Sequence, residues 1–244
     1  MEINLGSSVA VKRESNETPF IDLRDFTEGK YSTVKLSRIY PDFVVKEGRT
    51  KWREEDTPGT HPLGNEERIS QDTKAIVENF GEFIPKTQLV KGKNEKGEVV
   101  IYIIQEKVSG KHLSEIQYSE KIAEQLGVFF DKVTVNYIQH LFYAPKEKEP
   151  RSFYPDLNAL NNFILGTTKG DSPEKLYYVD TYPIGGGTPT YFVDKIIPKL
   201  ISRWPAEWKS FLEEYAKKFK LLVGEYILAK KDIPKQTSDS LYRK

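Results

Sequence analysis

The sequence contains no cysteine, which excludes disulfide frameworks, thiolate zinc sites and cysteine nucleophiles. Its three histidines, His61, His112 and His140, lie far apart along the chain, so a histidine-built metal centre is not expected. Neither charge is in excess: 37 Lys+Arg against 36 Asp+Glu leave +1, and no nucleic-acid partner is expected from that balance. Long apolar runs are missing as well. No stretch approaches the roughly eighteen consecutive apolar residues of a membrane span. Met1 to Val11 lacks the basic start and apolar core of an export signal. The expected location is cytoplasmic. The phosphate-loop pattern G-x-x-x-x-G-K-[ST], the dinucleotide pattern G-x-G-x-x-G and the nucleophile elbow G-x-S-x-G are all absent. Pro155-Asp156 could open a nuclease carboxylate motif, but no D/E-x-K follows between residues 157 and 200.

What is present is enough chain to bury a core. The 244 residues are 38% hydrophobic and 12% aromatic, and at roughly 150 residues per domain they allow one large domain or two small lobes. Any chemistry must rest on Asp, Glu, Lys, Asn, Ser, Thr or Tyr.

The first half reads as strands with one helix. Tyr31 to Arg38 alternates in part, Tyr40-Pro41-Asp42 is a turn, and Phe43-Val44-Val45 is an apolar run ending in Lys46. Arg49 to Gly64 is charged, carries Pro58, Gly59 and Pro62, and reads as an exposed loop. Ile69, Thr73, Ile76 and Phe80 make one stripe of a helix over Glu66–Phe80, with Asn65 as its cap and Gly81 as its stop. Thr87 to Lys91 and Val99 to Gln105 form a hairpin. Beyond Ser109-Gly110 the pattern turns helical, with a stripe of Ile122, Leu126, Phe129, Val133, Tyr137 and Leu141. Phe163 to Leu165 and Leu176 to Val179 form a second hairpin. Two helices follow, one from about Tyr191 to Ile201 and one opened by Pro205. Trp204 and Trp208 are expected to close the core there rather than to stack on a ligand. Gly185-Gly186-Gly187 reads as a connector, with a mobile substrate lip as the other reading. Lys209 to Lys244 holds nine basic and five acidic residues, a bias expected of a solvated face. The fold class is therefore α+β. A boundary near Glu106 to Gly110 gives an N-terminal lobe 1–108 and a mainly helical lobe 109–244.

Three features carry chemical meaning. Lys46 ends an apolar strand, where it must find an anion or reach water. Asp156 opens a tight loop with Asn161 five residues on, running straight into an apolar strand. Asp180 ends the partner strand. Each has a bland reading alone: a snorkelling lysine, an Asp/Asn turn, a strand-end carboxylate.

In this order, Lys46, then Asp156 with Asn161, then Asp180, the chain resembles the protein-kinase-like superfamily, in particular its aminoglycoside phosphotransferase, RIO and bacterial small-molecule kinase members. The resemblance spans about Gly29 to Asp180. It implies a two-lobe fold, an N-terminal antiparallel sheet with one helix over a helical C-terminal lobe, and an ATP- and Mg²⁺-dependent phosphotransferase acting on a hydroxyl of a small molecule or protein. It implies that Gly29 and Ser32 lie in the phosphate-covering loop, that Lys46 holds the α- and β-phosphates, and that Glu67, or its neighbour Glu66, pairs that lysine. Glu106 and Val108 would hydrogen-bond adenine through their backbone. Asp156 would be the catalytic aspartate, with Asn161 and Asp180 as magnesium ligands; Asn162 fits the asparagine place if the loop holds one extra residue. The chain departs from the pattern in keeping a single clear glycine, Gly29, in the covering loop, and in placing Tyr154-Pro155 before the aspartate and Thr181-Tyr182-Pro183 after Asp180. Those departures leave a pseudokinase, a nucleotide-binding regulatory or scaffolding module, as the alternative.

Overall fold

The computed structural model describes residues 23–28, 32–37, 40–48, 66–93, 99–143, 154–170, 173–181, 183–184 and 191–231. The architecture is α+β, with antiparallel sheets and several helices. The chain divides into two compact units, residues 1–117 with 155–184, and residues 118–154 with 185–244.

The first unit opens with β1 (Leu23–Glu28), β2 (Ser32–Ser37) and β3 (Phe43–Gly48), continues through α1 (Glu66–Phe80), and adds β4 (Thr87–Lys93) and β5 (Val99–Glu106). The five strands form one antiparallel sheet in the order β1-β2-β3-β5-β4. Runs such as Val-Val-Ile-Tyr-Ile-Ile in β5 favour strand because branched and aromatic side chains pack well on a pleated surface. Alternation then splits the sheet into two faces. Ile69 of α1 clusters with Leu89, Ile101 and Ile103, whereas Val45, Val100 and Tyr102 cluster separately with Val90 against them. Lys46 stands opposite Ile103 in the ladder, so it shares the face that α1 covers. The helix stripe behaves as its spacing demands: Ile69, Thr73, Ile76 and Phe80 are all buried. Burying each such large apolar side chain contributes about 1.5–3 kcal/mol. α1 ends at Phe80, with Gly81 as the expected stop, and Gly81 begins a 3₁₀ turn, Gly81–Phe83.

The same unit contains β6 (Ser109–His112), where the local pattern suggested the start of the helical region. A 3₁₀ turn, Leu113–Glu115, follows it. Tertiary pairing overrides the local pattern. After α2 (Glu120–Tyr143) of the second unit come β7 (Tyr154–Pro155), β8 (Phe163–Thr167), β9 (Lys175–Tyr178) and β10 (Pro183–Ile184). A three-stranded sheet forms in the order β6-β8-β9. Gly110 lies opposite Gly166. A Cβ on Gly110 would collide with the Leu165 carbonyl, and one on Gly166 with that of Ser109. Only a glycine pair admits this backbone approach.

The second unit is helical. It combines α2, a π turn (Phe192–Ile196) running into the helix Ile197–Arg203, a 3₁₀ turn (Ala206–Trp208) and the helix Lys209–Lys231. Ile122, Leu126, Phe129, Val133 and Tyr137 of the α2 stripe are buried, and so are Trp204, Trp208, Leu212, Tyr215 and Phe219. The two tryptophans close the core, as expected. No helix among the described residues is long and apolar enough to cross a membrane.

Candidate functional site

Lys46 is buried at 7% exposure, because β3 carries it into the middle of the sheet under α1. Its Nζ donates to the backbone carbonyl of Val179, 133 residues away in sequence. Burial pushes its pKa down from 10.5 to about 8, and the carboxylate of Asp180 resists the fall by favouring the charged form. A cation held this way, enclosed and only partly compensated, is suited to meeting a further anion.

Asp156 follows Pro155 at the head of the loop that leads into β8. Its carboxylate closes an Asx-type turn. Oδ1 accepts the backbone N–H of Asn158 at 2.8 Å and the Asn158 side-chain amide at 2.9 Å. The 3₁₀ turn Leu160–Asn162 then starts β8. From its last residue, Asn162, the side-chain Nδ2 donates to the Asp156 backbone carbonyl at 2.9 Å and stands 3.5 Å from Asp180 Oδ2. Asn162 also accepts, through its backbone carbonyl, the N–H of Val179 at 2.8 Å. The Asn162 amide therefore links the Asp156 backbone to the Asp180 carboxylate, with the Lys46 ammonium on the neighbouring Val179 carbonyl.

Beneath this group Tyr178 is fully buried, its hydroxyl 3.5 Å from the Asp156 carbonyl. Burial, followed by the charges of Asp180 and Asp156, holds its phenol well above the usual range, and the hydrogen bond to Asp156 offsets only part of that. Tyr178 is thus a neutral donor throughout the physiological range. Thr181, next to Asp180, is fully buried.

The other expected residues divide into several sets. Asn161 is turned away from the two carboxylates. Its side-chain Oδ1 accepts from Ser114 Oγ, and its backbone carbonyl meets His112 Nδ1 at 2.8 Å. The amide next to Asp180 belongs to Asn162, so of the two registers left open by the spacing the geometry favours the longer loop. Glu106 is buried at the end of β5, its N–H donating to the Lys86 carbonyl at 2.9 Å. Val108 is half-buried in the connector to β6. Gln105, just before, is 1% exposed and donates to Thr87 Oγ1 at 3.2 Å. Ser32 begins β2 and Glu67 lies in the first turn of α1, their side chains outside the described residues. Gly29, the whole Arg49–Gly64 segment with His61, Asn65, Gly185 to Gly187 and residues 232–244 also lie outside them.

No family model matches the chain, and no curated protein matches it. Among solved structures, the chain is similar to the GDP and kanamycin complex of APH(2'')-IIia, an aminoglycoside phosphotransferase. The likeness covers 88% of this chain and 89% of that one, at 11% identity and a TM-score of 0.45.

No cluster of three or more His, Cys, Asp or Glu suited to a metal exists among the described residues. What the site provides is one carboxylate, Asp180, beside one amide, Asn162. Asn162 turns its Nδ2 toward Asp180, so its Oδ1 is the one atom it has for a metal. A carboxylate and an amide oxygen suit a Mg²⁺ that keeps waters and takes its remaining ligands from phosphate, and they do not suit a softer ion.

Proposed function

We propose that this protein is an ATP- and Mg²⁺-dependent phosphotransferase with a two-lobed kinase-like fold, acting on a hydroxyl of a small molecule or a protein. One observation carries the reading: Lys46, Asp156, Asn162 and Asp180, scattered over the sequence, are tied together by the Lys46–Val179 bond and by the Asn162 side-chain amide, which donates to the Asp156 backbone carbonyl and stands 3.5 Å from the Asp180 carboxylate.

Each residue has a task that its surroundings suit. Lys46, enclosed and held by a carbonyl, neutralises phosphate oxygens with little further ordering cost. Asp156, half-buried at the loop head, orients the acceptor hydroxyl and takes its proton. Asn162 and Asp180 would hold the magnesium ion, which when bound neutralises charge on the phosphates. Glu67 or Glu66 would steady Lys46 from α1, Gly29 and Ser32 would cover the phosphates, and the backbone of Glu106 and Val108 would meet the adenine edge. As the proton leaves the acceptor oxygen for Asp156, that oxygen forms its bond to the γ-phosphorus. The bond from this phosphorus to the bridging oxygen breaks, and its electron pair stays on the departing nucleoside diphosphate. The chain needs no covalent intermediate, so lysine, carboxylates and amides suffice.

Thermal shift with ATP, with and without Mg²⁺, tests the reading. A ligand at about 100 times its Kd stabilises the folded state by about 2.7 kcal/mol, a rise of several degrees. The rise is expected to need Mg²⁺ in the wild type and to lose its metal dependence in Asp180→Ala. A wild type whose melting is indifferent to ATP and Mg²⁺ would sink the proposal.

A further inference from the structure

We infer that Asn158 is a positioning residue for Asp156, selecting which of its two carboxylate oxygens meets the acceptor. This rests on the phosphotransferase reading and extends it to a residue that the motif order does not single out.

A carboxylate attached by one rotatable bond has two equivalent oxygens, and a base that must receive a proton along one direction gains from having them distinguished. Here the distinction is built in. Asp156 Oδ1 accepts two hydrogen bonds from the same residue, the backbone N–H at 2.8 Å and the side-chain Nδ2 at 2.9 Å. Those two donors lie on different groups of Asn158 and fix both the position of Oδ1 and the rotation of the carboxylate plane. No hydrogen bond from a described residue reaches Oδ2.

The orientation of the Asn158 amide is determined by the same contact, because the reverse orientation would set its oxygen against the Asp156 oxygen. Its Oδ1 is left buried and without a partner. A buried carbonyl without a partner destabilises the fold, because its lost hydration is not replaced, so an asparagine here is a poor choice for stability alone. Its amide hydrogens make it a good choice for fixing Asp156. The backbone of the loop is anchored independently, by Asn162 Nδ2 on the Asp156 carbonyl and by the N–H of Asn162 on the Ala159 carbonyl at 3.0 Å. Removing the Asn158 side chain therefore frees the carboxylate without dismantling the loop. In the reaction, the proton of the acceptor O–H passes to Asp156 Oδ2 while its oxygen bonds to the γ-phosphorus and the nucleoside diphosphate leaves with the bridging electron pair. A carboxylate that rotates freely spends less of its time in that line.

The experiment uses the full chain with Mg-ATP and water as the phosphoryl acceptor, so that no acceptor need be known. Steady-state turnover, KM for ATP and ATP-induced thermal shift are measured for wild type, Asp156→Asn, Asn158→Ala, Asn158→Ser and the double variant Asp156→Asn/Asn158→Ala. We expect turnover in Asn158→Ala to fall at least tenfold with KM for ATP and the thermal shift unchanged. Asn158→Ser, whose short hydroxyl can still donate to Asp156, should recover part of it, and it stands in for Asn158→Ala should that variant fail to fold. In the double variant the Asn158 change should add less than a twofold loss to that of Asp156→Asn alone, because there is no longer an aspartate to position. An unchanged turnover in Asn158→Ala, or a full additive loss in the double variant, would overturn the role of Asn158 and leave the phosphotransferase reading standing. No ATP turnover by the wild type, or full turnover by Asp156→Asn, would overturn that reading and this inference with it.

Discussion

Phe130 and Lys46 are both enclosed by protein, yet their surroundings are opposites. Phe130, in the unit formed by residues 118–154 and 185–244, lies among rings: Tyr215 at 4.6 Å, Phe211 at 5.6 Å and Trp204 at 6.1 Å between centroids, all edge-on. The polar groups beside it are used up locally, since its carbonyl accepts from Tyr215 and Thr134, whose hydroxyls also meet each other at 2.8 Å. Burial drives the Tyr215 phenol upward, the Thr134 hydrogen bond opposes this, and Asp131 adds to it, so the ring stays neutral. Lys46, in the other unit, is a charge at the edge of what its partners can compensate. One region spends its burial on stability, and the other accepts a cost to keep a cation, two carboxylates and an amide within reach of each other. A stability–function trade of this kind is a common mark of a working site.

Substitutions at the two residues should separate the regions by sign. Phe130→Ala leaves a hole among these aromatic neighbours and should cost about 3–5 kcal/mol, read as a fall in the denaturation midpoint. A loss under about 1 kcal/mol would mean that the ring cluster is not a rigid core. Lys46→Met should do the reverse. The fall of its pKa from 10.5 to about 8, at roughly 1.4 kcal/mol per unit, means that the charged lysine costs the fold about 3 kcal/mol at neutral pH. Methionine should recover much of that while the ATP-induced thermal shift disappears. A destabilised Lys46→Met would show that the Val179 and Asp180 contacts outweigh burial.

The pH dependence sharpens the same contrast. Between about 8 and 10.5 the unfolded chain holds a proton at Lys46 that the folded chain has lost, so wild-type stability should rise with pH across that window by up to about 1.4 kcal/mol per unit. Over the same window ATP affinity should fall, because the neutral amine no longer meets phosphate charge. Both trends should vanish in Lys46→Met, and parallel trends in stability and affinity would contradict the assignment. The smallest effect is expected on the surface. Lys169 and Asp42 form an exposed pair at 2.6 Å, whose hydrogen bond raises the lysine's pKa. Lys169→Ala should leave the denaturation midpoint and nucleotide response unchanged within error, since exposed pairs contribute little.

Much of the fold was legible because burial leaves a periodic trace. The α1 stripe through Ile69, Thr73, Ile76 and Phe80 and the α2 stripe through Ile122, Phe129 and Val133 are inward-facing in the structure, as their spacing requires. β6 was not legible: Ser-Gly-Lys-His has no strand pattern, and it is a strand only because Gly110 and Gly166 allow two backbones to meet. In the site, Lys46, Asp156 and Asp180 could be singled out from their order. The choice between Asn161 and Asn162 could not, because adjacent asparagines differ only in which way a 3₁₀ turn aims them. Ser114 and His112, which hold Asn161, come from a segment far away in sequence.

By itself the sequence determined the composition of the chemistry. With no cysteine and three scattered histidines, the chain could offer only lysine, carboxylates, amides and hydroxyls, and its apolar periodicity settled which segments would be buried. Tertiary structure alone decided which of those groups meet. It took residues 155–184 into one compact unit with the sheet of residues 1–117, and it set the Lys46 ammonium on a carbonyl from the β8–β9 hairpin. The physical reason is range. Periodicity reports on neighbours a few residues apart, whereas a strand register and the direction of one amide depend on backbone contacts between segments the chain has brought together.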